Sequence, residues 1–166
     1  MPEKRTLERA RRDKRQGKAP STQAGEFVRE EMDHIRAGKH GARSSKQAIA
    51  IGLSKARRSG VDLPPPKSGS SRTRRSATRD YARGHGSPRR AKASAKRSRA
   101  TTTALKREGR SAASHRALAK QARTSARRRS KTSRSAAARR ASRTKGATMR
   151  SAAARKAART RQARAH

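Results

Sequence analysis

Large apolar side chains are confined almost entirely to one end of this sequence, and that confinement limits what the chain can fold into. Met1, Leu7, Phe27, Val28, Met32, Ile35, Ile49, Ile51, Leu53, Val61 and Leu63 precede Pro64, whereas only Tyr81, Leu105, Leu118 and Met149 follow it. A core needs such residues, because alanine buries too little surface to offset the entropy of ordering its own backbone. Charge divides at the same point. Residues 1–63 carry 16 basic and 8 acidic groups, and residues 64–166 carry 33 basic and 2 acidic, so most of the net charge of +39 lies beyond the proline run. These gradients predict an all-α head over residues 1–63, a Pro/Gly/Ser-rich linker over 64–90, and a long, intrinsically disordered, Ala/Arg/Lys-rich low-complexity tail over 91–166.

Within the head, Thr6 is a candidate N-cap for a short helix over 6–16 that stops at Gly17, with Glu8/Arg12 and Arg9/Asp13 paired four apart. Pro20-Ser21-Thr22 opens a second, amphipathic helix running to Gly38, with Ala24, Val28, Met32 and Ile35 in one stripe and Phe27 beside it. Its acidic residues Glu26, Glu30, Glu31 and Asp33 are assigned mostly to the outer, solvated faces. Ser44 and Gln47 match a capping box, and the helix that follows places Ile49, Leu53 and Ala56 on one face before Gly60. The second and third helices therefore make a hairpin. Ile51 lies off the stripe, covered either by the first helix or by another chain. Val61 to Pro66 ends the head, since consecutive prolines cannot continue a helix. A hairpin of this size is marginal alone, which predicts a homo-oligomer or a protein partner bound through the head.

Beyond Pro88 the chain repeats. The segment SAAARRASRTK at 135–145 recurs with small changes at 151–161, and Arg-Ser-Ala begins at 75, 110, 134 and 150. Solenoid repeats would need apolar residues to stack on, so this is a degenerate charge repeat. Arginine outnumbers lysine 35 to 14, which favours the forked, bidentate grip on phosphate oxygens. The candidate nucleic-acid-binding residues are Arg57, Arg58, Arg89, Arg90, Arg97, Arg107, Arg110, Arg123, Arg127, Arg128, Arg129, Arg134, Arg139, Arg140, Arg143, Arg155, Lys156, Arg159, Arg161 and Arg164. Phe27 and Tyr81 are the only aromatic residues, so bases have almost no platform to stack on and binding should be sequence-nonspecific, with DNA favoured over RNA. A different class stays open: an adaptor whose acidic helix and exposed Ile51 dock a protein partner while the tail tethers it to nucleic acid or the ribosome.

Sharper chemistry finds little support. Ala48, Gly52, Leu53 and Ser54 imitate the turn of a helix-turn-helix, but the basic stretch 55–60 is too short to be its second helix, and one uninterrupted helix accounts for it better. Glu30 and His34 stand four apart and could share a metal; two ligands are too few, and an ion pair is the ordinary explanation. His40, His85, His115 and His166 are scattered. Gly84-His85-Gly86 lacks the third glycine of a dinucleotide fingerprint. The expectation is therefore no enzyme, no cofactor and no metal. With no cysteine, disulfides and thiolate metal sites are excluded. The charged N-terminal residues and the lack of any membrane-length apolar run predict a cytoplasmic, nucleoid-associated protein without membrane insertion.

The segments STQAGEFVREE at 21–31 and SKQAIAIGLSKARR at 45–58 resemble a family of small basic bacterial proteins of unknown function, and the similarity extends to Pro66. ALKREGRSAASH at 104–115 is similar to a segment in the tails of that family. The resemblance implies a bacterial source and carries no established activity. Separately, the closing repeats resemble the alanine- and lysine-rich tails of bacterial histone H1-like proteins, with arginine here in place of most of the lysine.

Overall fold

The computed structural model describes residues 2–86 and 94–163. Among them run α1 (Lys4–Arg15), α2 (Pro20–Arg36), α3 (Ser45–Arg58), α4 (Ser71–Gly84), α5 (Ala95–Arg107), a single 3₁₀ turn (Ser111–Ala113), α6 (His115–Arg127) and α7 (Lys131–Gln162). The chain forms two compact units, Met1–Gln121 and Ala122–His166.

The punctuation read from the sequence sets most helix ends in the first 60 residues. Gly17, Gly38 and Gly60 follow α1, α2 and α3, each at positive φ, where a side chain would be strained. The Ser44 hydroxyl accepts from the Gln47 amide, while the Gln47 side chain accepts from the Arg43 amide, one residue earlier than in a standard capping box. α3 passes through Gly52 unbroken. Thr6 is not a cap: α1 begins at Lys4, and Thr6 is buried within it. Of the pairs expected along α1, Arg9 and Asp13 take other partners, Arg9 reaching Glu26 and Asp13 accepting from Lys18.

Two small cores flank α2. Phe27 and Ala24 meet Ala10, Ala56 and Val61, with Leu7, Leu53 and Leu63 at the edge. Met32 and Ile35 meet Ala42, Ala48, Ala112 and Ala113, with Val28, Ile49 and Leu118 packed against them. Because so many of these residues are alanine, the backbones must approach closely. Gly52 permits this between α2 and α3: a Cβ there would lie 2.7 Å from Val28 Cα.

The second core corrects the expected architecture. Ala112, Ala113 and Leu118 belong to the stretch read as disordered tail, yet they complete the hairpin's packing. The Gly41 amide donates to Leu105 O (2.9 Å) and the Ala42 amide to Gly109 O (3.2 Å). Ser45 Oγ donates to Ala112 O (2.6 Å) and Arg36 Nε to Ala113 O (3.0 Å). α4, inside the stretch read as linker, packs on α3: the Ser54 hydroxyl donates to Asp80, Arg58 pairs with the same carboxylate, and the Tyr81 hydroxyl donates to Asp62. The marginal hairpin is thus completed by this chain's own later segments.

Nor is the remainder a disordered tail. α7 is helical from Lys131 to Gln162, broken only at Gly146 (φ 61°, ψ 171°). The physical reason is that Ala, Arg and Lys are strong helix formers, while like-charge pairs along a solvated helix cost only a few tenths of a kcal/mol each, about 0.2–0.5. Serine supplies the starts, Ser70 capping Thr73, Ser114 capping Ala117 and Ser130 capping Ser133. The all-α class holds; among the described residues, the linker assigned to 64–90 and the disorder assigned to 91–166 do not.

Candidate nucleic-acid interface and a buried carboxylate cluster

The positions named from sequence fall into separate environments. Arg57 is 8% exposed, and its guanidinium donates to Leu63 O and Pro64 O. Burial lowers its pKa, opposed by the charge of Asp80. Arg57 therefore braces the turn into the proline run, which leaves little of it for a phosphate. Arg58 is exposed beside it, bonded to Ser54 O and paired with Asp80. Arg107, Arg110, Arg123, Arg127, Arg128, Arg129, Arg134, Arg139, Arg140, Arg143, Arg155, Lys156, Arg159 and Arg161 are all exposed. Arg97 lies in α5; Arg89, Arg90 and Arg164 lie outside the described residues.

No described side chain of α7 is buried, and its basic residues project on every side rather than along one face. Its two helical segments, which meet at Gly146, present guanidinium groups to whatever polyanion lies alongside. α4 contributes a patch that sequence reading passed over, where Arg74, Arg75 and Arg79 border a shallow groove with Ser71 and Thr78. Its sequence signal is the Arg-x-x-x-Arg spacing of Arg75 and Arg79, which the serine and glycine content around it obscures. Of the two aromatic residues, Phe27 is fully buried, and half-buried Tyr81 stacks on His85 at 4.0 Å between ring centroids, its hydroxyl pKa raised by the bond to Asp62.

Of the four acidic residues of α2 expected mostly on outer faces, Asp33 is exposed and Glu26 half-buried, whereas Glu30 and Glu31 turn inward. Glu30 and Glu31 are 3% and 0% exposed. Lys55, from α3, lies 2.6 Å from Glu31 Oε2 and 3.5 Å from Glu30 Oε1. The Glu3 amide donates to Glu30 Oε2 (3.1 Å). His34 Nε2 lies 2.9 Å from Glu3 Oε1, with Lys39 Nζ 3.1 Å from the same oxygen. Those two bonds are the main reason the Glu3 carboxyl is lowered to about 2. His40, in the turn after α2, places Nε2 3.2 Å from Glu31 Oε1. With these carboxylates inside and Ile51 half-buried, the surface that an acidic docking helix would offer reduces to Asp33 and its surroundings.

An all-helical, strongly basic protein with arginine-bearing helices and an internal acid cluster is the class these features define. Residues 3–67 match a family of unknown function, DUF6496. That span covers α1, α2, α3 and the proline run, and it stops short of the 105–118 segment that completes the second core. No curated protein and no solved structure matches the chain. No described helix is long and apolar enough to cross a membrane.

Proposed function

We propose that this protein binds nucleic acid, DNA in preference to RNA, through backbone phosphates and with little reading of sequence. The observation that carries this reading is the solvent-exposed arginine array along α6 and α7, in a chain of net charge +39. A block of one charge sign, rich in forked donors and poor in base-stacking groups, suits phosphate oxygens spaced along a strand. Histone-like compaction of a bacterial nucleoid is the cellular role such binding would serve. In this reading the helices of 122–166 lie against duplex as preformed rods, and the 1–121 unit supplies the fold that carries them.

The test is the salt dependence of binding by the full chain to unrelated duplexes of equal length. If about eight phosphates are neutralised, log affinity should fall linearly with log salt with a slope near −7, since each phosphate contributes about −0.9. Replacing Arg139, Arg140, Arg155 and Arg159 together by glutamine should make that slope shallower and weaken all sequences alike. A shallow slope in the parent protein, or a strong preference for one duplex, would overturn the reading.

A further inference from the structure

The cluster behind α2 has more convergent donor atoms than its ion pairs use. One donor atom from each of Glu31, His34 and His40 lies within 4.8 Å of the other two. The Glu31 side chain is 1% exposed, and neither of its carboxylate oxygens has a hydrogen-bond partner. Lys55 approaches Oε2 at ion-pair distance without the alignment of a hydrogen bond, and Oε1 is left facing His40.

The hydrogen bonds of the two rings fix what faces inward. His40 Nδ1 lies 3.1 Å from Gly41 O; a carbonyl can only accept, so Nδ1 carries the proton, and Nε2 turns toward Glu31 Oε1. His34 Nε2 donates in the same way to the ionised Glu3, and its Nδ1 lies 4.0 Å from Glu30 Oε1. Each ring therefore has an outer acceptor on one nitrogen and a carboxylate opposite the other. A lone pair 3.2 Å from a carboxylate oxygen is repulsive unless something positive stands between them, either a proton on each ring or one cation shared by the set. The outer bonds to Gly41 O and Glu3 are the kind that orient metal-bound imidazoles. The 3.2 Å between His40 Nε2 and Glu31 Oε1 also matches the edge of a tetrahedron about zinc, about 3.3 Å for bonds of about 2.0 Å.

We propose that Glu31, His34 and His40 bind one divalent transition ion of the zinc class. Glu31 coordinates through Oε1 alone, with Lys55 holding Oε2, and the ion ties the turn at His40 to the last two turns of α2. Two imidazoles and a carboxylate suit zinc and its late first-row neighbours better than magnesium or calcium, which prefer oxygen. A surface cleft of about 250 Å³ is lined by Glu30 and His34 on the flank of the cluster. Glu31 and His34 stand three apart on α2, a spacing visible in the sequence; the reversal of the chain after Gly38 is what adds His40.

The experiment uses tag-free, nucleic-acid-free full-length protein treated with chelator, titrated with Co²⁺ while its visible ligand-field absorption is followed, and then with Zn²⁺ as competitor. The expected result is a tetrahedral cobalt spectrum saturating at one ion per chain and displaced by zinc. His40→Gln, with its far-UV circular dichroism retained, should weaken binding at least about tenfold. His115→Gln, on the exposed surface of α6, should bind as the parent does. Absence of a cobalt spectrum and of zinc binding in the parent overturns the proposal. So does binding unchanged by His40→Gln, or abolished by His115→Gln.

Discussion

Replacing Gly41 by alanine should release the 105–113 segment from the hairpin. Gly41 shows no positive φ, so alanine is compatible with its backbone, and any effect comes from contact alone. A Cβ there would lie 1.8 Å from Glu108 O, 2.4 Å from Glu108 C and 2.7 Å from Gly109 O. All three are backbone atoms, so no side-chain rotation relieves the clash. Overpacking typically costs about 1–3 kcal/mol, and a contact this short belongs at or above the top of that range. The cost is capped by release of the segment. The four hydrogen bonds from Gly41, Ala42, Ser45 and Arg36 are worth about 1 kcal/mol net each, about 4 kcal/mol together, and release would also expose Ala112 and Ala113. Urea denaturation should show a loss of about 3 kcal/mol, and hydrogen exchange should show lost protection at the Gly41 and Ala42 amides. Unchanged exchange at those two amides, with unchanged stability, would mean that the later segment does not dock as described.

Other substitutions probe α2, the buried carboxylates and Glu3. Gly25→Ala, in the interior of α2 with nothing within 4 Å of the added carbon, should stabilise the protein by about 0.5–1 kcal/mol in the same denaturation assay. Lys55→Met leaves Glu30 and Glu31 buried without their shared ammonium and should destabilise by about 3–5 kcal/mol; a neutral result would show that the carboxylates are not charged inside the fold. Glu3→Gln tests linkage. The folded carboxyl sits at about 2, below its ordinary value of 4.5, so its stabilisation is complete above about pH 4.5 and fades as pH falls toward 2. The stability gap between parent and Glu3→Gln should narrow over that window, and a gap independent of pH would refute the assignment.

Much of the first 60 residues was legible because local chemistry decides it. Positive-φ glycines stop helices wherever they fall, a serine hydroxyl caps the amide three residues on, and a 3.6-residue stripe of Val, Met and Ile must face something apolar. The same propensities, followed further, favour helix in α7; weighing charge repulsion above alanine and arginine propensity was the error. What sequence alone could not show is which distant pieces meet. Ala112 and Ala113 look like two more small residues in a low-complexity stretch, and they become core only because Gly41 lets the 105–113 backbone within hydrogen-bonding reach. Glu30 and Glu31 look like solvated helix surface, and they are internal because α3 presents Lys55 and the chain's second turn presents His40. Helix, stop and charge are properties of neighbours in sequence, set by the geometry of a few residues. Burial and ion pairing belong to neighbours in space, and only the packing of α1, α3 and the 105–118 segment around α2 determined them.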